Sequence, residues 1–186
     1  MFNYQQFINQ YIIFIKLVAT NQILTFMKKL MFTMMLVVFV YTANAQFSLG
    51  ATFGLPTGDA DTGYTFALGI DANYMFSSES DIAFGVATGY LTYFGDEILG
   101  VEIDNASFLP LAGAARYAAS DKFTLGADVG YAIGLAPDGN DGGFYYRPMI
   151  AYAVGESTSI NLSYSGVSVS GGTFSNIGLG IMFGLN

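Results

Sequence analysis

The 186-residue chain contains no cysteine, no histidine and no tryptophan. Without cysteine there is no disulfide framework and no thiolate metal site. Without histidine, the commonest general base and the commonest metal ligand are missing. Charge is also scarce: Asp, Glu, Lys and Arg make up 11% of residues, with 14 acids against 6 bases. Glycine (23), phenylalanine (17) and tyrosine (13) are abundant instead. That mixture suits a surface that faces lipid and carries aromatic rings at its edges better than one that faces water.

From Met27 the chain reads MKKLMFTMMLVVFVYTANAQ. Lys28 and Lys29 form a basic start, Leu30 to Tyr41 is a mostly apolar run, and Ala43-Asn44-Ala45 fits a small-x-small cleavage pattern. The run is too short for a spanning helix, which needs about twenty apolar residues. The pattern predicts a signal peptide over 27–45, cut between Ala45 and Gln46. Residues 1–26 are expected to be an over-extended gene start with Met27 the initiator; an unusually long signal sequence is the alternative. The expected mature chain, 46–186, holds all fourteen acids but only Arg116, Lys122 and Arg147 of the bases, so 3 − 14 gives −11. Phosphate binding needs a basic face, so no nucleic-acid partner is expected.

Residues 46–186 alternate with period two, which reads as all-β. Phe47, Leu49, Phe53 and Leu55 oppose Ser48, Gly50, Thr52 and Gly54; Ile82, Phe84, Val86 and Tyr90 oppose Ala83, Gly85, Ala87 and Gly89. Comparable runs fall at 64–76, 107–119, 123–135, 144–154, 160–169 and 175–185. In the 160–169 run, Ile160, Leu162 and Tyr164 give way to Val167 and Val169, and a bulge near Gly166 would account for the change of parity. Short turns at 77–81, 120–122 and 155–159 alternate with mostly longer, acidic or glycine-rich loops at 56–63, 95–106 and 136–142, and with a shorter one near 168–172.

Eight strands of about ten residues, with turns alternating with loops, predict an eight-stranded antiparallel up-and-down transmembrane barrel. Both termini then lie on the periplasmic side, and the first strand closes against the last. A soluble lipocalin-like barrel also has eight strands but turns its apolar face inward around a ligand. Eight strands leave a lumen with little more room than side chains need, so the apolar-out arrangement is expected.

The stretch FLPLAGAARYAASDKFTLGADVGYAIG, Phe108 to Gly134, runs a strand through Arg-Tyr and a short Ser-Asp-Lys turn into Gly-Ala-Asp-Val-Gly-Tyr. With Gly180-Ile-Met-Phe183-Gly-Leu185 at the end of the last strand, the chain resembles the small outer-membrane β-barrel domain proteins of Bacteroidetes, within the broad class of eight-stranded bacterial barrels. A signal peptide leaving Gln at the mature N-terminus is similar to those of the same group. Gly180, Phe183 and Leu185 look like the Gly-x-x-aromatic-x-apolar signal read by the barrel assembly machinery, although Gly184, Leu185 and Asn186 follow Phe183 where family members often end on the aromatic. The resemblance implies insertion in the outer membrane and no particular activity.

Four charges fall on the expected lumen face: Asp71, Arg116, Asp128 and Arg147. Two of each sign suit a narrow interior, because an unpaired buried charge is costly. They read as an ion-pair network plugging the lumen or, alternatively, as the selectivity element of a pore. Asp59, Asp61, Asp96, Glu97, Glu102, Asp104, Asp138 and Asp141 are expected in the loops. DGNDGG (138–143) faintly resembles a calcium loop but lacks the spacing and closing Glu, so solvated charge is expected there. Tyr64, Tyr90, Tyr93, Tyr145 and Tyr146 near the loops, and Phe76, Phe123 and Tyr117 near the turns, are expected to form membrane girdles. The enzymatic outer-membrane barrels use Ser or Asp with His, which this chain lacks.

The expected function is therefore a non-enzymatic outer-membrane protein with a structural or surface-interaction role. A narrow channel for ions or small solutes is the alternative, and a soluble ligand-binding barrel the minority one. Expected partners are outer-membrane lipid and, during biogenesis, the assembly machinery; the protein is expected to be a monomer without metal or cofactor.

Overall fold

A computed structural model describes residues 46–76, 80–98 and 100–185; the expected signal peptide, with Ala43 and Ala45, and the expected over-extended start lie outside them. Among the described residues, ten strands follow in chain order: β1 (Gln46–Thr57), β2 (Tyr64–Met75), β3 (Ile82–Gly95), β4 (Glu97–Ile98), β5 (Val101–Glu102), β6 (Ala106–Ala118), β7 (Phe123–Ala136), β8 (Gly143–Ala153), β9 (Thr158–Val169) and β10 (Gly172–Leu185). Eight of them close a barrel in the order β1-β10-β9-β8-β7-β6-β3-β2, each antiparallel to its neighbours. β4 and β5 form a separate hairpin within the β3–β6 loop. A 3-10 turn, Gly58–Thr62, joins β1 to β2. The described chain starts and ends at the turn end of the barrel, and the longer connections gather at the loop end.

Closure comes from β1 pairing with β10 in unbroken register, from Phe47 opposite Leu185 to Thr57 opposite Ser175. A closed barrel leaves no unpaired edge strand. Ile70, Phe84, Leu162 and Leu179 are 54–63% exposed on the outside. The side chains that a lipocalin arrangement would turn inward therefore form an apolar outer band. Period-two geometry sends the intervening Gly, Ala, Ser and Asn into the lumen.

The lumen is layered. At the loop end, Tyr93, Phe108, Tyr145 and Val167 are buried in one apolar cluster, with Tyr64, Leu91 and Phe174 packed against it. The charged residues cross the middle. Met75, Met149 and Met182, all buried, fill the turn-end half.

Three expectations about facing change here. β9 pairs with β8 and β10 without a bulge at Gly166, because Val167 turns inward into the apolar cluster. The tyrosine ring of Tyr146, directly opposite, covers Gly166 so closely that a Cβ there would strike it. Tyr93 and Tyr145 also point inward, so they belong to the plug and not to a girdle. Tyr64 joins them at a register shift between Tyr64 and Phe66, packing edge-on against Tyr93 and Phe174 at centroid distances of 5.9 and 5.3 Å. Tyr90, Tyr117, Phe76 and Phe123 remain on the outside.

The inward facing of Val167 has a measurable consequence. Val167→Asp buries an unpaired charge and lowers unfolding stability by more than about 3 kcal/mol, while Ser168→Asp, exposed on the next position, stays within about 0.5 kcal/mol. Urea unfolding of the folded barrel, followed by tyrosine fluorescence, checks both.

Candidate functional site

All four charges expected in the lumen meet there. Asp128 and Arg147 are direct cross-strand partners on β7 and β8. Arg116 lies opposite Gly126, diagonal to Asp128, and the missing side chain at Gly126 gives it passage: a Cβ there would come within 2.8 Å of Arg116 Cδ. Arg116 Nη1 donates to Asp128 Oδ1 at 2.6 Å, and Arg147 reaches Asp128 Oδ2 through Nε at 2.9 Å and Nη2 at 2.8 Å. Arg147 Nη1 donates onward to Asp71 Oδ1, whose Oδ2 accepts from Thr52 Oγ1 at 2.7 Å.

The chain of contacts thus runs β6–β7–β8, crosses to β2, and ends on β1. In the order of the ring, β8 and β2 stand four strands apart either way, on opposite walls. The Arg147–Asp71 pair therefore bridges the lumen. Asp128 is fully buried and Arg147 is 5% exposed. The charges sum to zero, as desolvation demands. Arg116 Nη1 also donates to the Ala115 carbonyl at 2.9 Å, but its Nη2 finds no partner among the described residues.

A second polar layer sits between the ion chain and the aromatic cluster. Asn176 Nδ2 donates to Tyr93 Oη and to Ser165 Oγ, both at 2.8 Å, and Tyr93 Oη donates to the Phe174 carbonyl at 3.1 Å. The space bounded by Asp71, Tyr145, Arg147, Ser163, Ser165 and Asn176 is about 20 Å³, room for a single water.

The other expected site residues are dispersed. Gly180 faces the lumen, where a Cβ would come within 2.8 Å of Thr52 Oγ1, while Phe183 and Leu185 project outward, half exposed, along β10. Gln46 is the first residue of β1. The acidic loop residues spread around the rim, and among the described residues no group of three acids is arranged to hold a metal. The 138–143 loop is organised by Asn140, whose Nδ2 donates to the Ala136 carbonyl at 2.8 Å and whose Oδ1 accepts from Gly142 N–H at 3.1 Å.

Tyr93, Phe108, Tyr145, Val167 and Phe174 close the loop end of the lumen without having been singled out as plug residues. Parity could have found Tyr93, in step with Ala83, Gly85 and Ala87, and Tyr145, in step with Arg147.

Comparison with protein-family models and with curated protein sequences finds no match. Solved structures do match in fold. The backbone structure of the Yersinia pestis outer membrane protein Ail in a phospholipid bilayer nanodisc superposes with a TM-score of 0.53 at 14% identity, covering 76% of this chain and 100% of that one. The Ail crystal structure gives 0.51 at 14% identity, over 76% and 97%. The solution structure of the de novo designed protein TMB2.3 gives 0.52 at 13% identity, over 76% and 95%. The fold is a closed eight-stranded antiparallel barrel of the kind these outer-membrane proteins have.

The ion chain predicts an order of sensitivity. Asp128→Ala leaves two buried guanidiniums facing each other and costs about 3–5 kcal/mol. Asp71→Asn costs less, because Arg147 keeps Asp128 and the amide oxygen can still accept. Unfolding midpoints of the two variants, measured together, check the order.

Proposed function

We propose that the protein is an integral outer-membrane barrel with a closed lumen, whose role is structural or surface-interacting and not enzymatic. The observation that carries this is the Arg147–Asp71 bridge across the lumen with an aromatic layer above it. A path for solutes would require both layers to part. The apolar outer band fits hydrocarbon, and the aromatic rings at its margins fit the interface. Export through a signal peptide cut before Gln46, and assembly through the β10 residues Gly180, Phe183 and Leu185, belong to the same proposal, as does a monomeric state, since the barrel edges are already paired. The fold shared with Ail, an outer membrane protein by its description, supports the location.

Two measurements test it. Reconstituted in planar lipid bilayers, the wild-type protein stays electrically silent, whereas Arg147→Ala combined with Tyr93→Ala gives unitary current steps. Well-resolved steps from the wild type would overturn the closed-lumen proposal. Cell fractionation with heat-modifiable gel mobility places the protein in the outer membrane; recovery as a soluble periplasmic species would overturn the location.

A further inference from the structure

The loop end holds a concavity that the closed lumen does not explain. It lies between the 3-10 turn and the β9–β10 hairpin, encloses about 250 Å³, and is lined by Asp59, Ala60, Tyr64, Val169 and Phe174 together with the hairpin backbone. Asp59 Oδ2 is held by the Thr173 N–H at 3.0 Å, which fixes the carboxylate at the wall; its Oδ1 accepts no hydrogen bond among the described residues. Tyr64 and Phe174 form the aromatic part of the wall; Tyr64 packs edge-on against both Phe174 and Tyr93, and Phe174 packs tilted against Tyr93. Gly171 turns the hairpin at φ +103°, and at Gly172 a Cβ would approach Asp59 Oδ2 at 3.2 Å.

We propose that this concavity binds an organic cation, an alkylammonium or guanidinium group, with the source a basic side chain of a polypeptide. A carboxylate beside two aromatic rings supplies both terms that such a group seeks: ion pairing with a carboxylate oxygen, and aromatic surface for a cation–π contact. The volume is below the roughly 300 Å³ at which sites for drug-sized ligands begin, and suits one side chain or a small amine. The surroundings select the same sign. Asp59, Asp61, Asp96, Glu97, Glu102, Asp104, Asp138 and Asp141 all lie in loop-end connections, which contain no Lys or Arg. That uniform field attracts a polycation and repels anions, while the pocket supplies a defined anchoring point within it.

The test uses the full-length protein folded in zwitterionic detergent micelles, so the outcome does not depend on where the barrel resides in the cell. A fluorescent pentalysine peptide is titrated against wild type, Asp59→Asn, Phe174→Leu and the double variant Asp138→Asn/Asp141→Asn, with folding confirmed by heat-modifiable mobility. Saturable binding is expected, weakened about tenfold by Asp59→Asn and several-fold by Phe174→Leu, but less than about twofold by the distant double variant at 0.3 M salt, where long-range attraction is screened. Tetramethylammonium is run as a competitor. Displacement at concentrations where pentalysine itself is half-bound assigns the pocket to a small ammonium ion; no displacement assigns it to a polypeptide side chain. Equal weakening by Asp59→Asn and by the distant pair, or no saturable binding, would overturn the proposal.

Discussion

The lumen of an eight-stranded barrel has room for little beyond its own side chains, so whatever charge enters it must be neutralised on the spot. Asp128 carries that constraint. It is fully buried and takes hydrogen bonds from both Arg116 and Arg147. Removing Arg147 leaves Asp71 on the far wall without an arginine, removing Arg116 leaves Asp128 with one arginine and a net negative lumen, and removing Asp128 leaves two cations together. The small residues around it follow from the same requirement. Arg116 crosses the space a side chain at Gly126 would occupy, and Gly69, Gly89 and Ser163 are among the residues bounding the space beside the Arg147–Asp71 bridge. The alternation of bulky outward with minimal inward residues is therefore a condition for a neutral, filled interior as much as a signature of strands.

How much of this was legible in the sequence depended on whether the interaction was local. Asp128 and Arg147 are neighbours across one hairpin, so strand parity and turn position suffice to pair them. Arg147 and Asp71 are 76 residues apart and meet only through closure of the ring, which no local pattern encodes. The acid and base content of the lumen face could be read; which acid bridges which wall could not. Val167 and Tyr145 show a second limit. An apolar residue near the loop end can face lipid or plug the lumen, and its hydrophobicity is the same in both places. Parity was the better guide at Tyr93 and Tyr145, while at Val167 the preceding Gly166 suggested a bulge that the covering ring of Tyr146 makes unnecessary. Tyr64 was beyond parity altogether, since a register shift beside it reverses its facing.

The polar and apolar layers of the lumen depend on each other. Tyr93 is anchored at its hydroxyl by Asn176 and the Phe174 carbonyl, and its ring meets Phe108 at a centroid distance of 6.2 Å and Phe174 at 5.5 Å. Asn176 also reaches Ser165. The aromatic layer is therefore pinned from below by the same polar layer that borders the ion chain. In the turn-end half the filling is softer: Met75, Met149 and Met182 adapt to irregular space without fixing it. The rigid part of the plug lies toward the loop end, next to the proposed binding face.

Carboxylates meet opposite fates at the two levels, and the dielectric decides which. In the β4–β5 hairpin, Glu97 and Glu102 are direct cross-strand partners with no base opposite, an arrangement that is unfavourable by a fraction of a kcal/mol to about 1 kcal/mol at a solvated site. The hairpin tolerates it because water screens the pair, and because its base is tied to the barrel rim through Asp96 N–H to the Gly63 carbonyl at 3.0 Å and Ile103 N–H to the Asp96 carbonyl at 2.9 Å. In the lumen the same repulsion would be several times larger, and there every acid has an arginine. A chain with only three bases in 46–186 has placed two of them inside and the third, Lys122, at the turn end. None remains for the loop face, which leaves its carboxylates unneutralised in water, where the cost is lowest and where a cation arriving from outside relieves it.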